Sequence, residues 1–168
     1  MDRILIREYC DSDRVEADEV TEKAFESLRQ IYRPTREAIE MKRRRPPAPR
    51  LIAIHTKQLD ENLQNAGMIV GSVEYEVLDD QLSMMALAVH PEWRRRGIAR
   101  LLIAKLREIG RDRGVSRVTL WTILETGNVP IFEQLGFRVV QVEKADLFES
   151  DQFEELEEAF MELLISGE

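Results

Sequence analysis

Residues Leu82 to Leu102 change their hydrophobic period in mid-course, and this change constrains the fold more than any other feature of the chain. From Leu82 to Val89 the run is nearly continuous in apolar residues, the pattern of a strand buried on both faces, and Pro91 ends it because proline offers no N–H to a ladder. From Ile98 onward, Ile98, Leu101, Leu102, Leu106 and Ile109 recur at helical spacing, so a helix begins near Gly97. The orphan N–H groups of its first turn then point back toward the strand end. Gly97 and Ala99 leave that backbone bare, so a phosphate can approach it with the helix dipole assisting. Arg94, Arg95, Arg96 and Arg100 add positive charge around the same turn, and the stretch reads as an anion site.

The remaining elements are read from pattern. Ile4 to Ile6 read as a short first strand, with N-cap candidates in Asp11-Ser12-Asp13 and a helix from Arg14 to Gln30 that ends at Ile31-Tyr32-Arg33-Pro34. A second helix spans Arg36 to about Arg43. It runs into the basic, proline-rich loop Arg43 to Arg50, which favours extended polyproline geometry and offers either a stiff connection or a contact for a polyproline reader or an acidic partner. Leu51 to His55 and Gly67 to Val77 read as strands around a polar loop at Asp60 to Asn65, and Asp79-Asp80 turns the chain into the Leu82 strand. After the long helix, Gly114 is its C-terminal glycine and Val115 to Leu124 is a parallel strand. A short helix over Val129 to Leu135, a strand over Phe137 to Val142, a helix or loop near Asp151 to Leu156 and a strand over about Ala159 to Ile165 complete the chain.

Composition bounds the class. The 168 residues suit one domain, residues 1–168, with a core that buries roughly 70% of the unfolded surface. No run approaches the roughly 18 apolar residues of a membrane span, and the start lacks the basic and apolar regions of a signal peptide, so the expected compartment is the cytoplasm. The single cysteine, Cys10, fits that reducing environment. A balance of 24 basic against 32 acidic side chains, net −8, argues against nucleic acid and mildly favours cationic small substrates. His55 and His90 are isolated, without metal-ligand spacing, so no metal is expected.

The turn reads Arg-x-x-Gly-x-Ala over Arg94 to Ala99, and with the Ala-Val-x-Pro strand end before it and Phe132-Glu133-Gln134-Leu135-Gly136-Phe137 after it, the segment resembles the GNAT superfamily of N-acyltransferases. The similarity covers about Gly67 to Phe137. It implies an α/β fold in which a mixed, mostly antiparallel twisted sheet of six to seven strands carries about four helices on both faces. It also implies acetyl-CoA as cosubstrate, its pyrophosphate on the N–H groups of Arg95, Arg96, Gly97, Ile98 and Ala99. In that family the strand before the loop splays from its parallel neighbour, partly through a bulge, and main-chain groups corresponding to Leu87 and Val89 hold the pantetheine arm in the gap.

The implied reaction moves an acetyl group to a primary amine by direct attack through a tetrahedral intermediate, with no covalent enzyme intermediate. An alkyl amine titrates near 10 and must lose a proton first, which makes Glu74, Glu76 and Glu125 candidate bases. Alternation puts Glu74 and Glu76 on one face of their strand and Tyr75 on the other, and either face is open to the crevice. The family's leaving-group acid, a tyrosine, corresponds here to Phe132, and Asn128 reads as a helix N-cap rather than a cofactor ligand. That departure keeps alive a non-catalytic acyl-CoA-binding or sensing domain as the alternative. Trp93 and Trp121 read as packing, and Tyr32 as core or as lining of an acceptor pocket. The acceptor is a small-molecule or peptide amine, and pairing into a homodimer stays open.

Overall fold

A computed structural model describes residues 2–57 and 67–165; the polar loop read at Asp60 to Asn65 lies outside the described residues. In chain order the elements are β1 (Asp2–Glu8), α1 (Arg14–Phe25), β2 (Arg33–Pro34), α2 (Arg36–Arg44), β3 (Arg50–Lys57), β4 (Met68–Leu78), β5 (Gln81–Val89), α3 (Ile98–Asp112), β6 (Arg117–Ile123), α4 (Val129–Gln134), β7 (Arg138–Lys144), β8 (Phe148–Glu149) and β9 (Glu157–Leu164). Seven strands form one sheet in the order β1-β3-β4-β5-β6-β9-β7, in which only β5 and β6 are parallel; β2 and β8 form a separate two-residue pairing. The mixed, mostly antiparallel sheet with four helices is the fold class expected from the sequence.

Alternation in β4 and β6 divides the sheet into two faces. Val73, Tyr75, Leu82, Met84, Val118 and Leu120 point to the face where α3 inserts Ile98, Leu102 and Leu106, and Val129, Phe132 and Leu135 of the α4 segment pack against the same core. Burying residues of that size stabilises by about 1.5–3 kcal/mol each, so α3 is held along its length. Gly71 of β4 permits the approach: a Cβ there would lie 2.9 Å from the Ile98 Cγ2 atom. On the opposite face α1 places Ala17 and Val20 over Ile52, Ile54 and Ile69. Arg50 fixes α1 to the sheet by donating to Ser72 Oγ at 2.6 Å, Asp18 Oδ1 at 2.8 Å and Thr21 Oγ1 at 2.9 Å.

Three local expectations are corrected. The first helix ends at Phe25 rather than Gln30, and a separate 3-10 turn covers Leu28–Gln30, because the chain bends there to bring Tyr32 against Phe148. Asp13 does occupy the N-cap position, yet its side chain makes no cap bond, since both carboxylate oxygens accept from Arg7 at 2.8 and 2.9 Å. Trp121 is 46% exposed rather than packed around α3, because β6 turns Val118 and Leu120 inward and leaves Trp121 on the other face, tilted against Phe160 at 4.9 Å. The tail takes the loop of its two expected alternatives, forming bends before β9, so cross-strand pairing with β6 and β7 outweighs its helical spacing. No helix among the described residues is long and apolar enough to cross a membrane.

The Arg7 hydrogen bonds, aided by the Cys10 N–H and opposed by burial, pull the Asp13 carboxyl from 3.8 down to about 2. A depressed carboxylate stabilises the folded state above its unfolded pKa and loses that contribution as pH falls from about 4 toward about 2. Asp13→Asn is expected to lower stability by about 1–2 kcal/mol at neutral pH and to flatten the acid limb; urea unfolding at neutral and acid pH measures both effects.

Candidate active site

The crevice originates in a local failure of strand pairing. β5 and β6 pair only over Gln81–Ser83 and Arg117–Thr119. Beyond that point β6 continues with β9 up to Ile123 opposite Glu158, while β5 stays with β4 up to Val89 opposite Gly71. The two parallel strands therefore part. The β4–β5 register advances two residues on β4, Ser72 to Glu74, and three on β5, Met85 to Ala88, so β5 carries one extra residue at Ala86–Leu87. Ala86 adopts φ 50°, and such a bulge bends its strand and increases local twist. Leu87 and Val89, the positions assigned to main-chain contacts, lie on β5 between this bulge and the strand end.

The arginine turn sits beside the gap. Pro91–Trp93 forms a 3-10 turn in which His90 Nδ1 accepts from the Glu92 N–H at 3.2 Å. Arg95 and Gly97 then take positive φ, 61° and 78°, and α3 starts at Ile98 with Gly97 as its N-cap residue. A Cβ on Gly97 would meet nothing within 4 Å, so the space beside this turn is open. Buried Ile98 anchors the turn from beneath, while Ala99 is half-buried and Arg100 exposed.

The four arginines differ in their engagements. Arg94 donates to the Ala24 carbonyl at 3.2 Å, which ties the turn to the end of α1 rather than aiming that guanidinium at the turn's N–H groups. Arg96 lies over the Trp93 ring at 4.6 Å, and Trp93 in turn packs on His55 at 4.4 Å. Arg95 and Arg100 are exposed and make no ion pair among the described residues. The role of Trp93 was not legible in the sequence because its partner His55 comes from β3, far away along the chain.

Packing settles which face of β4 carries the carboxylates. Tyr75 is buried on the α3 side, its hydroxyl donating to Glu8 Oε1 at 3.1 Å and pushed up by burial and by Glu8. Glu74 and Glu76 therefore share the face of Ser72, Glu74 half-buried and Glu76 exposed. Glu125 follows β6, but its two oxygens accept from the Glu157 N–H at 3.1 and 3.2 Å, so it holds the start of β9. Sequence reasoning missed Glu158. It lies across from Ile123 at the far end of β6 and across from Glu143 on β7, and burial, Glu143 and Asp146 raise its pKa. Only cross-strand register brings these carboxylates together.

Phe132 packs edge-on against Phe137 at 5.9 Å, and its ring supplies no proton. Asn128 occupies the N-cap position of α4 without a side-chain cap bond, because Thr126 Oγ1 instead accepts its backbone N–H at 3.3 Å. Cys10 is exposed and free, bonded only within its own turn and to Arg7 and Asp13. Among the described residues no three His, Cys, Asp or Glu side chains gather as a metal site.

Comparison with known proteins agrees with this geometry. In sequence, 72 residues are 32% identical to the [Ribosomal protein bS18]-alanine N-acetyltransferase of Salmonella typhimurium, covering 41% of this chain and 47% of that protein. Another 32% match, over 82 residues, is to N-acetyltransferase 8 of Mus musculus, covering 45% of this chain and 36% of that protein. The matched stretch thus spans about half or less of either relative. In structure, the ribosomal-protein-S18-alanine N-acetyltransferase of Escherichia coli superposes with a TM-score of 0.70 at 18% identity, covering 99% of this chain and 96% of that one. A Bacillus anthracis protein described as a streptothricin acetyltransferase, solved with acetyl coenzyme A, superposes with a TM-score of 0.64 at 14% identity over 96% and 99% of the two chains. The family model of the acetyltransferase (GNAT) family matches residues 16–137, and the chain belongs to that family.

Proposed function

We propose that this protein transfers an acetyl group from acetyl-CoA to a primary amine by direct attack. The observation that carries the reading is the open, arginine-rimmed turn at the start of α3, set beside the gap where β5 leaves β6. A run of N–H donors around Gly97, which has no Cβ, suits a pyrophosphate, and the N–H groups of Arg95, Arg96, Gly97, Ile98 and Ala99 would hold it. Arg95, Arg96 and Arg100 would neutralise its charge, while Arg94 would fix the turn to α1. Main-chain groups of Leu87 and Val89, on the edge that β6 has left, would hold the pantetheine arm. When bound, acetyl-CoA supplies the thioester carbonyl as acyl donor.

The chain must then take one proton from the acceptor ammonium. Glu125 is less suited than its position at the end of β6 suggests, because both oxygens already accept from the Glu157 N–H. Glu74 stands half-buried on the face away from α3, with Glu76 two residues on and more exposed. Glu158 has the raised proton affinity that suits a base. Phe132 removes the family's donor to the departing thiolate. Expelling a thiol of pKa near 8.5 unprotonated at neutral pH costs about 2 kcal/mol, a small part of an enzymatic barrier, so orientation and main-chain polarisation suffice for turnover.

Phe132 also supports a second reading, a domain of this family that binds acyl-CoA without transferring it. Release of free thiol with any amine decides between the two.

Calorimetric titration with acetyl-CoA, CoA and adenosine 3′,5′-bisphosphate is expected to give binding shared by all three. Charge reversal at Arg95 and Arg96 together, or Gly97→Val, is expected to lower affinity by a hundredfold or more, and unchanged affinity in both would remove the turn from the site. Trp93→Leu, which frees Arg96 from its stack, is expected to weaken acetyl-CoA binding by about threefold to tenfold, read from the same titration. Phe132→Tyr is expected to raise or preserve kcat in a thiol-release assay; a large loss would place the sulfur elsewhere.

A further inference from the structure

The α2 helix contributes nothing to the core. None of its residues is buried, and Ile39 and Met41 stand 42% and 43% exposed. Its Thr35 cap, which accepts from the Ala38 N–H at 3.2 Å, and its link to β2 explain why it forms.

At its end Lys42, Arg43, Arg44 and Arg45 stand in succession, all exposed, and none forms an ion pair among the described residues. Elsewhere Arg7, Arg33, Arg50, Arg117 and Arg138 each reach a carboxylate. In a chain of net charge −8 with 32 acidic side chains, these four adjacent cations make no ion pair although carboxylates are plentiful. The helix dipole favours cations at a C-terminus by a few tenths to 1 kcal/mol, and that effect fades within the last turn. It does not account for Arg45, which lies beyond the helix.

The segment is also stiff and aimed. Arg45 leaves α2 with φ −74° and ψ 140°, the polyproline II region, and Pro46, Pro47 and Pro49 restrict the backbone from there to β3. The Pro49 carbonyl accepts from the Tyr75 N–H at 3.0 Å, which fixes the far end to β4. Arg45 Nη1 reaches Met85 Sδ at 3.9 Å. Met85 immediately precedes the bulged Ala86 and pairs with Glu74, so Arg45 stands at the crevice on the face away from α3.

We propose that the acceptor is a polypeptide whose reactive amine is followed by acidic residues, and that Lys42 to Arg45 bind those residues. The inference rests on the acetyl-transfer reading above. The phosphates of acetyl-CoA have their own cations at the α3 turn, which leaves the second cluster for the other substrate. From Ile39 to Arg44 the exposed end of α2 runs roughly 8 Å along the helix, longer than a small amine spans while its nitrogen stays at the crevice. A short acidic segment covers that length and supplies the missing counter-charges.

The test is acetyl transfer to three short synthetic peptides with the same free N-terminal alanine, followed by glutamates, serines or lysines, at low and moderate salt. The glutamate peptide is expected to show kcat/KM at least about tenfold above the serine peptide, carried by KM and shrinking with salt. In the variant with Lys42, Arg43, Arg44 and Arg45 all replaced by Ser, the glutamate peptide is expected to fall to the serine peptide's value. Acetyl-CoA affinity and thermal midpoint are expected to hold, and Arg45→Lys to recover part of the preference. Equal rates on the three peptides, a preference for lysines, transfer only to non-peptide amines, or an acidic preference that survives the quadruple replacement would each overturn the proposal. Absence of acetyl-CoA binding by the unaltered protein would instead overturn the reading beneath it.

Discussion

Two parallel strands that pair for three residues and then separate set the conditions for everything around them. Up to Ser83 and Thr119 the sheet is continuous; beyond, β5 follows β4 through the bulge at Ala86 while β6 follows β9. A gap inside a sheet costs ladder hydrogen bonds, and buried main-chain groups without partners are expensive. The fold keeps the gap by holding both sides independently: β4 is clamped by Arg50 and by the Glu16 carboxylate accepting from the Ile69 N–H at 2.8 Å, and β6 is held by full pairing with β9. The main-chain groups left over are those to which the proposed function gives the amide-bearing arm of the cosubstrate, with the α3 turn taking its phosphates.

Charge is arranged to match. Glu162, nearly buried, accepts from both Arg117 and Arg138, whose hydrogen bonds lower its pKa, so its charge is met within the β6–β9–β7 part of the sheet. Two groups of exposed cations without an ion pair among the described residues lie at the α3 turn and at the end of α2.

Much of this was legible in the sequence because it is local. The change of period at Gly97, the αL position of Gly114 at φ 73° and the buried Phe137 after Gly136 are properties of short segments, which spacing reports directly. The bulge at Ala86 leaves no such mark, since it exists only relative to the register of β4. The same holds for carboxylates: Glu125, Glu74 and Glu76 looked equivalent along the chain, and what distinguishes them is the Glu157 N–H that occupies Glu125 and the face of the sheet that β4 presents. Glu158 was invisible because Glu143 and Asp146 approach it only through cross-strand pairing. Asp13 was read correctly by position and incompletely by partner, for its side chain turned to Arg7 of another element.

The stack of Arg96 on Trp93 and Trp93 on His55 has an optical consequence. The chain holds two tryptophans, and the other, Trp121, sits on the far face of β6 beside Phe160. With Phe in place of Trp121, all indole emission would arise from a ring wedged between an imidazole and a guanidinium of the arginine turn. Any event that moves Arg96 alters the electric field across that ring. The protein thus carries, within its own scaffold, a fluorophore coupled to the turn that opens α3.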